Sequence, residues 1–398
     1  MVTIEDIYAA AERIKGRVLR TPTIYCQALS KRLDTDITLK LENLQAVGSF
    51  KERGAANRLA LLSEEEKKRG VIAVSAGNHA QGVARHAQLL GINAVIVMPK
   101  FTPVTKMNRT AAWGAKVILA GEDFAEAVKF AYELCAKEGQ IFIHPYDDPG
   151  VIAGQGTLAV ELFEEVDDLD YLIVPIGGGG LISGCAIAAA SLRPNTKVIG
   201  VQTRSYSSYS ICSDSELNPP GGPTIAEGIA VLKLGRQPLE IIRQHVDDIL
   251  TVSEQGIEDA ITLIAEDAKQ VTEGAAASAL AAIISYPERF KHKKVAFPIS
   301  GGNIDTRIMA NIFIRSLLRD GRLLRLSMSI PDRPGILADI SQIIGECGGN
   351  IIEVSHQRLF TSSSVQSALL EVIIEARSGE HSNEIMNRLR EKYTVERI

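Results

Sequence analysis

From about residue 37 to residue 320 the chain alternates short apolar runs with segments of helical period. No other feature restricts its fold as strongly. "GVIAVSAG" (70–77) is apolar and β-branched and runs into the helical pattern "NHAQGVARHAQLLG". "NAVIVMP", "TPVTKMNRTAAWG" and "AKVILAG" repeat the alternation. "DYLIVPIGGGG" (170–180) and "KKVAFPISGGN" (293–303) read as strands that end in glycine. "LISGCAIAAASL" follows the first of them as a helix, and "TKVIGVQ" is the next strand. This order predicts parallel strands joined by helices, an α/β architecture. In such folds ligands collect at the carboxyl ends of strands. Three of the strands end in glycine-rich turns, so those turns are the first candidates for a site.

Near "RDGRLLRL" (319–326) the pattern changes. "LLRLSMSI" alternates with period two, "DRPGILADISQIIGECGG" turns into a helix, and "NIIEVSHQRL" and "SALLEVIIEA" are further strands. "SNEIMNRLREKY" is a helix and "TVERI" a last short strand. The order βαββαβ predicts a separate α+β, ferredoxin-like unit. The boundary falls near residue 321, giving domains 1–321 and 322–398. The length of 398 residues accommodates two or three domains, and 45% hydrophobic with 23% charged residues fits a soluble globular protein.

A net charge of −5 and the lack of a Lys/Arg-rich arm argue against a nucleic-acid partner. No apolar run approaches the ~20 residues of a membrane span. The N-terminal stretch carries Glu5 and Asp6 and reads as an amphipathic helix rather than a signal peptide, so the expected location is the cytoplasm. The cysteines, Cys26, Cys135, Cys185, Cys212 and Cys347, are scattered and form no Cys-x-x-Cys pair. That argues against a disulfide framework and a structural zinc site, and predicts reduced thiols.

The glycine turns carry the chemistry. In "PIGGGGLISG", Gly177, Gly178, Gly179 and Gly180 leave backbone N–H groups uncovered at a helix start, which suits a phosphate. G-x-G-x-x-G cannot be threaded through this stretch, and Cys185 stands where a P-loop needs lysine. The turn therefore suits a phosphate that is held but not transferred. In "SAGNHAQG" (75–82), Asn78 can donate and accept, and Ser75 with the backbone around Gly77 can receive a carboxylate. A lone His79 at this helix start reads as structural. In "SGGN" (300–303), Ser300 ends a buried strand, where its hydroxyl can bond a ring nitrogen.

"VGSFKERG" (47–54) frames Lys51 between Gly48 and Gly54, directly after Phe50. Lysine is ordinarily a solvated residue. Here it reads as an amine that must reach a carbonyl compound, with the glycines giving room and Phe50 offering a flat apolar surface. A phosphate cradle, such a lysine, and a serine and an asparagine at other strand ends together describe a small phosphorylated aldehyde. Pyridoxal 5′-phosphate fits this description.

The motifs "GSFKERGA", "SAGNHAQGVA", "HPYDDPGVIAGQGT", "PIGGGGLISG", "AEGIAV" and "PISGGNID" occur in this order. Over residues 1 to 320 the chain thereby resembles the threonine dehydratases, fold-type II pyridoxal-phosphate enzymes of the tryptophan synthase β group. The remainder, with "DRPGILADI" and "GGNI", resembles an ACT domain. The resemblance implies that Lys51 holds the cofactor as a Schiff base and, once freed, moves the Cα proton. It implies that Asn78 bonds the 3′-oxygen, that Gly177 to Gly180 bind the phosphate, and that Ser300 faces the pyridine nitrogen. Ser75, Ala76, Gly77 and Asn78 would surround the substrate carboxylate. The implied reaction converts L-threonine to 2-oxobutanoate and ammonia, with the cofactor phosphate as the acid that helps hydroxide leave. L-Serine to pyruvate would be a second reaction. Val47, Pro298 and Ile299 depart from the common pattern without touching a main role.

The resemblance leaves rivals. One is an L-serine dehydratase. Another is a serine racemase, although Ala76 has no proton to give where such racemases place a serine. A third is a non-enzymatic amino-acid sensor, against which the retained Lys51 and cofactor contacts argue. In the ACT-like unit, Pro334 and Gly335 precede a helix start and Asn350 follows two glycines, so these three would receive an amino-acid effector between paired copies. Isoleucine or valine leads, because 2-oxobutanoate feeds isoleucine synthesis, and a unit that only dimerises is the competing reading. A monovalent cation is implied without assignable residues, and a homodimer or homotetramer is expected.

Overall fold

The computed structural model describes residues 2–209, 221–358 and 367–398, so Cys212 lies outside the described residues. The chain divides into two compact units, Met1–Ile304 and Asp305–Ile398.

In the first unit the strands are β1 (Thr23–Tyr25), β2 (Asp36–Lys40), β3 (Val71–Val74), β4 (Ala94–Met98) and β5 (Lys116–Leu119). They continue with β6 (Ile141–Phe142), β7 (Tyr171–Pro175), β8 (Lys197–Thr203), β9 (Asp248–Val252) and β10 (Lys294–Pro298). The larger sheet has the order β1-β2-β10-β7-β8-β9 and the smaller one β5-β4-β3-β6. β1 pairs antiparallel with β2, while the other neighbours are parallel. Parallel strands are covered on both faces, so they read as continuous apolar runs. Every residue of "VIAV" in β3 and "AVIVM" in β4 is buried accordingly.

Helices Pro149–Glu165 and Gly180–Leu192 are buried over most of their length, the fate of a helix that is apolar on all sides. They touch through small residues: a Cβ on Gly184 would lie 2.5 Å from the Gly156 nitrogen. Helix Lys51–Ala60 packs on Pro149–Glu165 in the same way, with a Cβ on Gly154 falling 2.7 Å from the Gly54 Cα.

That helix is also pinned by charge. Arg53 is fully buried, and its guanidinium donates to Glu42 at 2.7 and 2.8 Å and to Glu161 at 2.7 and 2.8 Å. Lys40 pairs with Glu161 at 2.9 Å, and the Thr21 hydroxyl donates to Glu42 at 2.6 Å. Two carboxylates facing two cations leave no net charge in the core. Buried ions are tolerated only when paired and hydrogen-bonded in this manner.

The second unit opens with helix Thr306–Arg319 and continues as β11 (Leu323–Pro331), helix Ile336–Glu346, β12 (Asn350–Gln357), β13 (Ser367–Glu375), helix Gly379–Arg390 and β14 (Thr394–Arg397). From β11 onward this is the βαββαβ order, with an antiparallel sheet ordered β12-β13-β11-β14. It is a ferredoxin-like α+β arrangement. Leu324, Leu326, Met328 and Ile330 alternate into its core, which is what period two requires. The change of sequence character near residue 321 coincides with the approach to β11.

Cys26 and Cys185 are buried, Cys135 and Cys347 are partly buried, and all four are unpaired. Burial pushes the Cys185 thiol up to about 12, so it is an inert core residue. Among the described residues no helix is long and apolar enough to cross a membrane.

Candidate active site

Lys51 begins its helix at the carboxyl ends of the larger sheet's strands. The end of β10 places it there. The Phe50 N–H donates to the Ser300 carbonyl at 2.9 Å, Ser49 and Gly301 form an antiparallel bridge, and the Gly302 N–H donates to the Gly48 carbonyl at 2.9 Å. Gly48 has φ +73°, and a Cβ there would lie 2.7 Å from Asn303 Oδ1. Both facts demand glycine. Gly54 behaves differently from the sequence expectation: it faces Gln155 and Val151, so it serves helix packing rather than space around a cofactor.

The Lys51 amine donates to the Pro145 carbonyl at 2.8 Å and stands 5.3 Å from the centre of the Phe50 ring. Burial lowers its pKa to about 8, against the opposing pull of Glu273. Desolvation disfavours the ammonium, which is how a lysine becomes a nucleophile near neutral pH.

After β3, the Ser75 hydroxyl accepts from the Gly77 N–H at 3.1 Å. Gly77 precedes helix Asn78–Leu89, whose first N–H groups point out of the helix end. Ser75, Ala76, Gly77 and Asn78 are all partly exposed. His79 is buried against the Ile143 carbonyl at 3.0 Å, and burial pushes it down to about 3. It is neutral at physiological pH and braces the turn, as the sequence suggested.

After β7, Gly179 adopts φ +94° and caps helix Gly180–Leu192. Among the described residues no backbone carbonyl accepts from the N–H groups of Gly178, Gly179 or Gly180. Free donors at a helix N-terminus fit a phosphate, and with the amine of Lys51 they fit pyridoxal phosphate. Packing adds its own demand for glycine. A Cβ on Gly178 would overlap the Tyr146 ring, and one on Gly179 would lie 2.6 Å from Pro238 Cβ. Ser300 is 1% exposed at the end of β10.

Two links draw these turns into one cleft between the sheets. Asn303 Nδ2 donates to the Val47 carbonyl at 2.7 Å and to Asn78 Oδ1 at 2.8 Å, joining the β10 and β3 turns. The "HPYDD" loop joins Lys51 to the glycine run, because Pro145 accepts from Lys51 while Tyr146 covers Gly178. Asp147 accepts from the N–H groups of Arg236 and Gln237 at 2.9 and 3.1 Å, anchoring that loop. Sequence reasoning missed Pro145, Tyr146, Asn303 and Glu273 as parts of the cleft. The sequence carries no local signal for the last, because an acid directly before a helix, as in "VTEGAAAS", is an ordinary placement at the positive end of its dipole.

The three residues named for an effector do not meet within one unit. Pro334 and Gly335 are exposed ahead of helix Ile336–Glu346, beyond the Pro331 end of β11. Asn350 pairs in register with Glu375, which faces Leu323 at the other end of β11. The two places are separated by the length of that strand, roughly 27 Å at ~3.4 Å per residue. Asn350 Nδ2 donates to Glu375 at 3.1 Å. Among the described residues no cluster of three His, Cys, Asp or Glu side chains is placed to hold a metal ion.

Residues 14–301 match the family described as pyridoxal-phosphate dependent enzyme. An L-threonine ammonia-lyase of Thermotoga maritima is 45% identical over 387 residues, 97% of this chain and 96% of that protein. The processed form of threonine deaminase isoform 2 from Solanum lycopersicum has a similar structure, with a TM-score of 0.74 and 36% identity over 79% of this chain and 87% of that one. Serine racemase from Dictyostelium discoideum has a TM-score of 0.70 and 35% identity, over 76% of this chain and 99% of that one.

Proposed function

The chain belongs to the pyridoxal-phosphate-dependent enzymes, and we propose that it deaminates L-threonine to 2-oxobutanoate and ammonia. The observation that carries this reading is the depressed Lys51 amine, held in one cleft with an unpaired glycine N–H turn. Similarity to an L-threonine ammonia-lyase along 97% of the chain supports the choice of substrate.

Pyridoxal phosphate, when bound, supplies an electron sink for the charge left on Cα. Gly177, Gly178, Gly179 and Gly180 hold its phosphate. Lys51 is the attachment point, and its Nζ takes the proton from the substrate Cα. Asn78 would offer an N–H to the ring oxygen, and Phe50 would offer the ring an apolar surface. The turn Ser75–Ala76–Gly77–Asn78 orients the substrate carboxylate at a helix N-terminus. Ser300 meets the ring nitrogen as a neutral hydroxyl. A neutral hydroxyl there would hold a ring proton less firmly than a carboxylate, which suits a reaction that expels the β-hydroxyl.

L-Serine is read as a second substrate, since it lacks only a methyl group and one methyl is worth only ~1–3 kcal/mol of discrimination. Ala76 offers no proton to the opposite face of Cα, which favours elimination over racemisation. Residues 1–321 are read as the catalytic domain and 322–398 as an ACT-type regulatory domain. Because Pro334 and Gly335 lie far from Asn350 within one unit, an isoleucine or valine effector would need two copies paired along β12. A cytoplasmic homodimer or homotetramer is the matching assembly.

The test is to supply L-threonine and L-serine to the purified protein and follow oxo acid and ammonia. Threonine should give equal amounts of 2-oxobutanoate and ammonia. A protein that carried the cofactor and released neither product would contradict the assignment and favour a sensor.

A further inference from the structure

The cleft contains one acid that the reaction as read above does not use. Glu273 precedes helix Gly274–Ser285 but does not cap it. Its N–H donates to the Gly301 carbonyl at 3.0 Å, which fixes it beside the Ser300 turn. A Cβ on Gly301 would lie 2.5 Å from Glu273 Oε1, so the carboxyl fills the space that this glycine leaves. It turns toward Asn78, whose Nδ2 donates to Oε1 at 2.8 Å and to Oε2 at 3.1 Å.

The polarity of Asn78 is set from both ends. The Val47 carbonyl can only accept, so Asn303 must present Nδ2 to it. The same Nδ2 donates to Asn78 Oδ1. That places Asn78 Nδ2 against Glu273. Reversing the Asn78 amide would set its oxygen against a carboxylate and its NH2 against another NH2. An amide nitrogen has two N–H groups, and both Glu273 oxygens lie on one side of Asn78 Nδ2, so one N–H is enough for Glu273 and a second remains available.

We propose that Glu273 is a positioning residue that, with Asn303, holds Asn78 so that its remaining N–H is presented to the cofactor ring oxygen. This rests on the reading that the cleft binds pyridoxal phosphate. The hold depends on the carboxyl being ionised, since a protonated one could donate to Asn78 Oδ1 and permit the reversed amide. Burial raises the pKa of Glu273; the Asn78 and Asn303 hydrogen bonds and the charge of Lys51 oppose that rise, and Glu227 adds to it. On acidification this end of the hold therefore weakens at a higher pH than an ordinary carboxylate would allow, leaving Asn303 alone to set the amide.

The test uses the holoenzyme with Glu273→Gln, whose amide can pair with either orientation of Asn78, and Glu273→Asp, which keeps the charge. Glu273→Gln should shift the pH titration of the bound cofactor's visible absorbance. It should lower kcat by on the order of tenfold while KM stays within about twofold, the pattern of a lost transition-state interaction. Glu273→Asp should keep more of kcat than Glu273→Gln. In an Asn78→Ala background Glu273→Gln should have little further effect, because the two act as a unit. An unmoved absorbance titration with unchanged kcat, or effects that multiply in the double variant, would overturn the proposal. A wild-type protein without the cofactor band would instead refute the cofactor reading beneath it.

Discussion

The Lys51 amine is 2.8 Å from the carbonyl oxygen of Pro145, and the next residue, Tyr146, lies over Gly178. One loop therefore meets both the amine and the turn with unpaired N–H groups. A lysine whose acceptor is a neutral carbonyl is not held as a salt-bridged ammonium, which leaves it free to lose its proton.

This sets a pH dependence for the cofactor-free protein. The Lys51 ammonium loses its proton near pH 8, below the 10.5 of a free side chain. The rate of pyridoxal phosphate uptake should rise with pH and level off above about 8. The same depression means that the folded chain binds fewer protons than the unfolded one between about pH 8 and 10.5. Its contribution to stability thus increases with pH across that window. Stopped-flow uptake at several pH values checks the midpoint, and a midpoint near that of free lysine would contradict it.

Arg53→Ala should destabilise the fold by about 3–5 kcal/mol, because it leaves the fully buried Glu42 without its guanidinium partner and Glu161 with Lys40 alone. Denaturant unfolding measures this directly. A change under 1 kcal/mol would mean that water replaces the guanidinium at little cost.

The parallel sheets were legible because strands buried on both faces are written as unbroken apolar runs, as "AVIVM" and "YLIVP" are. The ferredoxin-like unit was legible for the opposite reason, the strict alternation of Leu324, Leu326, Met328 and Ile330. Lys51, Asn78, Ser300 and the glycine run stood out because they occupy strand ends and helix starts. The cross-links among them did not. That Asn303 bridges Val47 and Asn78, or that Glu273 turns back from its own helix, depends on approaches between residues about 200 or more positions apart. No local pattern encodes such contacts. Gly54 was misread because a glycine beside a reactive lysine and a glycine at a helix contact look alike until the partner helix is in place.

Ser300→Asp should slow ammonia release from threonine by on the order of tenfold, about 1.4 kcal/mol on the barrier. A fixed negative charge at this position would hold a ring proton and prolong the carbanion that elimination is meant to bypass. Steady-state kinetics decide, and an unchanged kcat would show that Ser300 does not face the ring.

Gly335→Val and Asn350→Ala should each abolish any effect of isoleucine or valine on the threonine response, while activity without effector persists. Gly335 has φ +92°, which a β-branched residue resists, and Asn350 lies at the far end of the sheet. Substrate curves with and without each amino acid, alongside calorimetric titration, test this. Retained regulation in both variants would separate the effector site from these residues.

Lys51→Ala addresses the central claim most directly. The absorbance spectrum and the 2-oxobutanoate output of the purified variant are compared with those of the unaltered protein, with circular dichroism confirming the fold. The account predicts a folded protein without the visible band of lysine-bound cofactor and without turnover of L-threonine. A folded variant that kept both the band and near-normal turnover would contradict it.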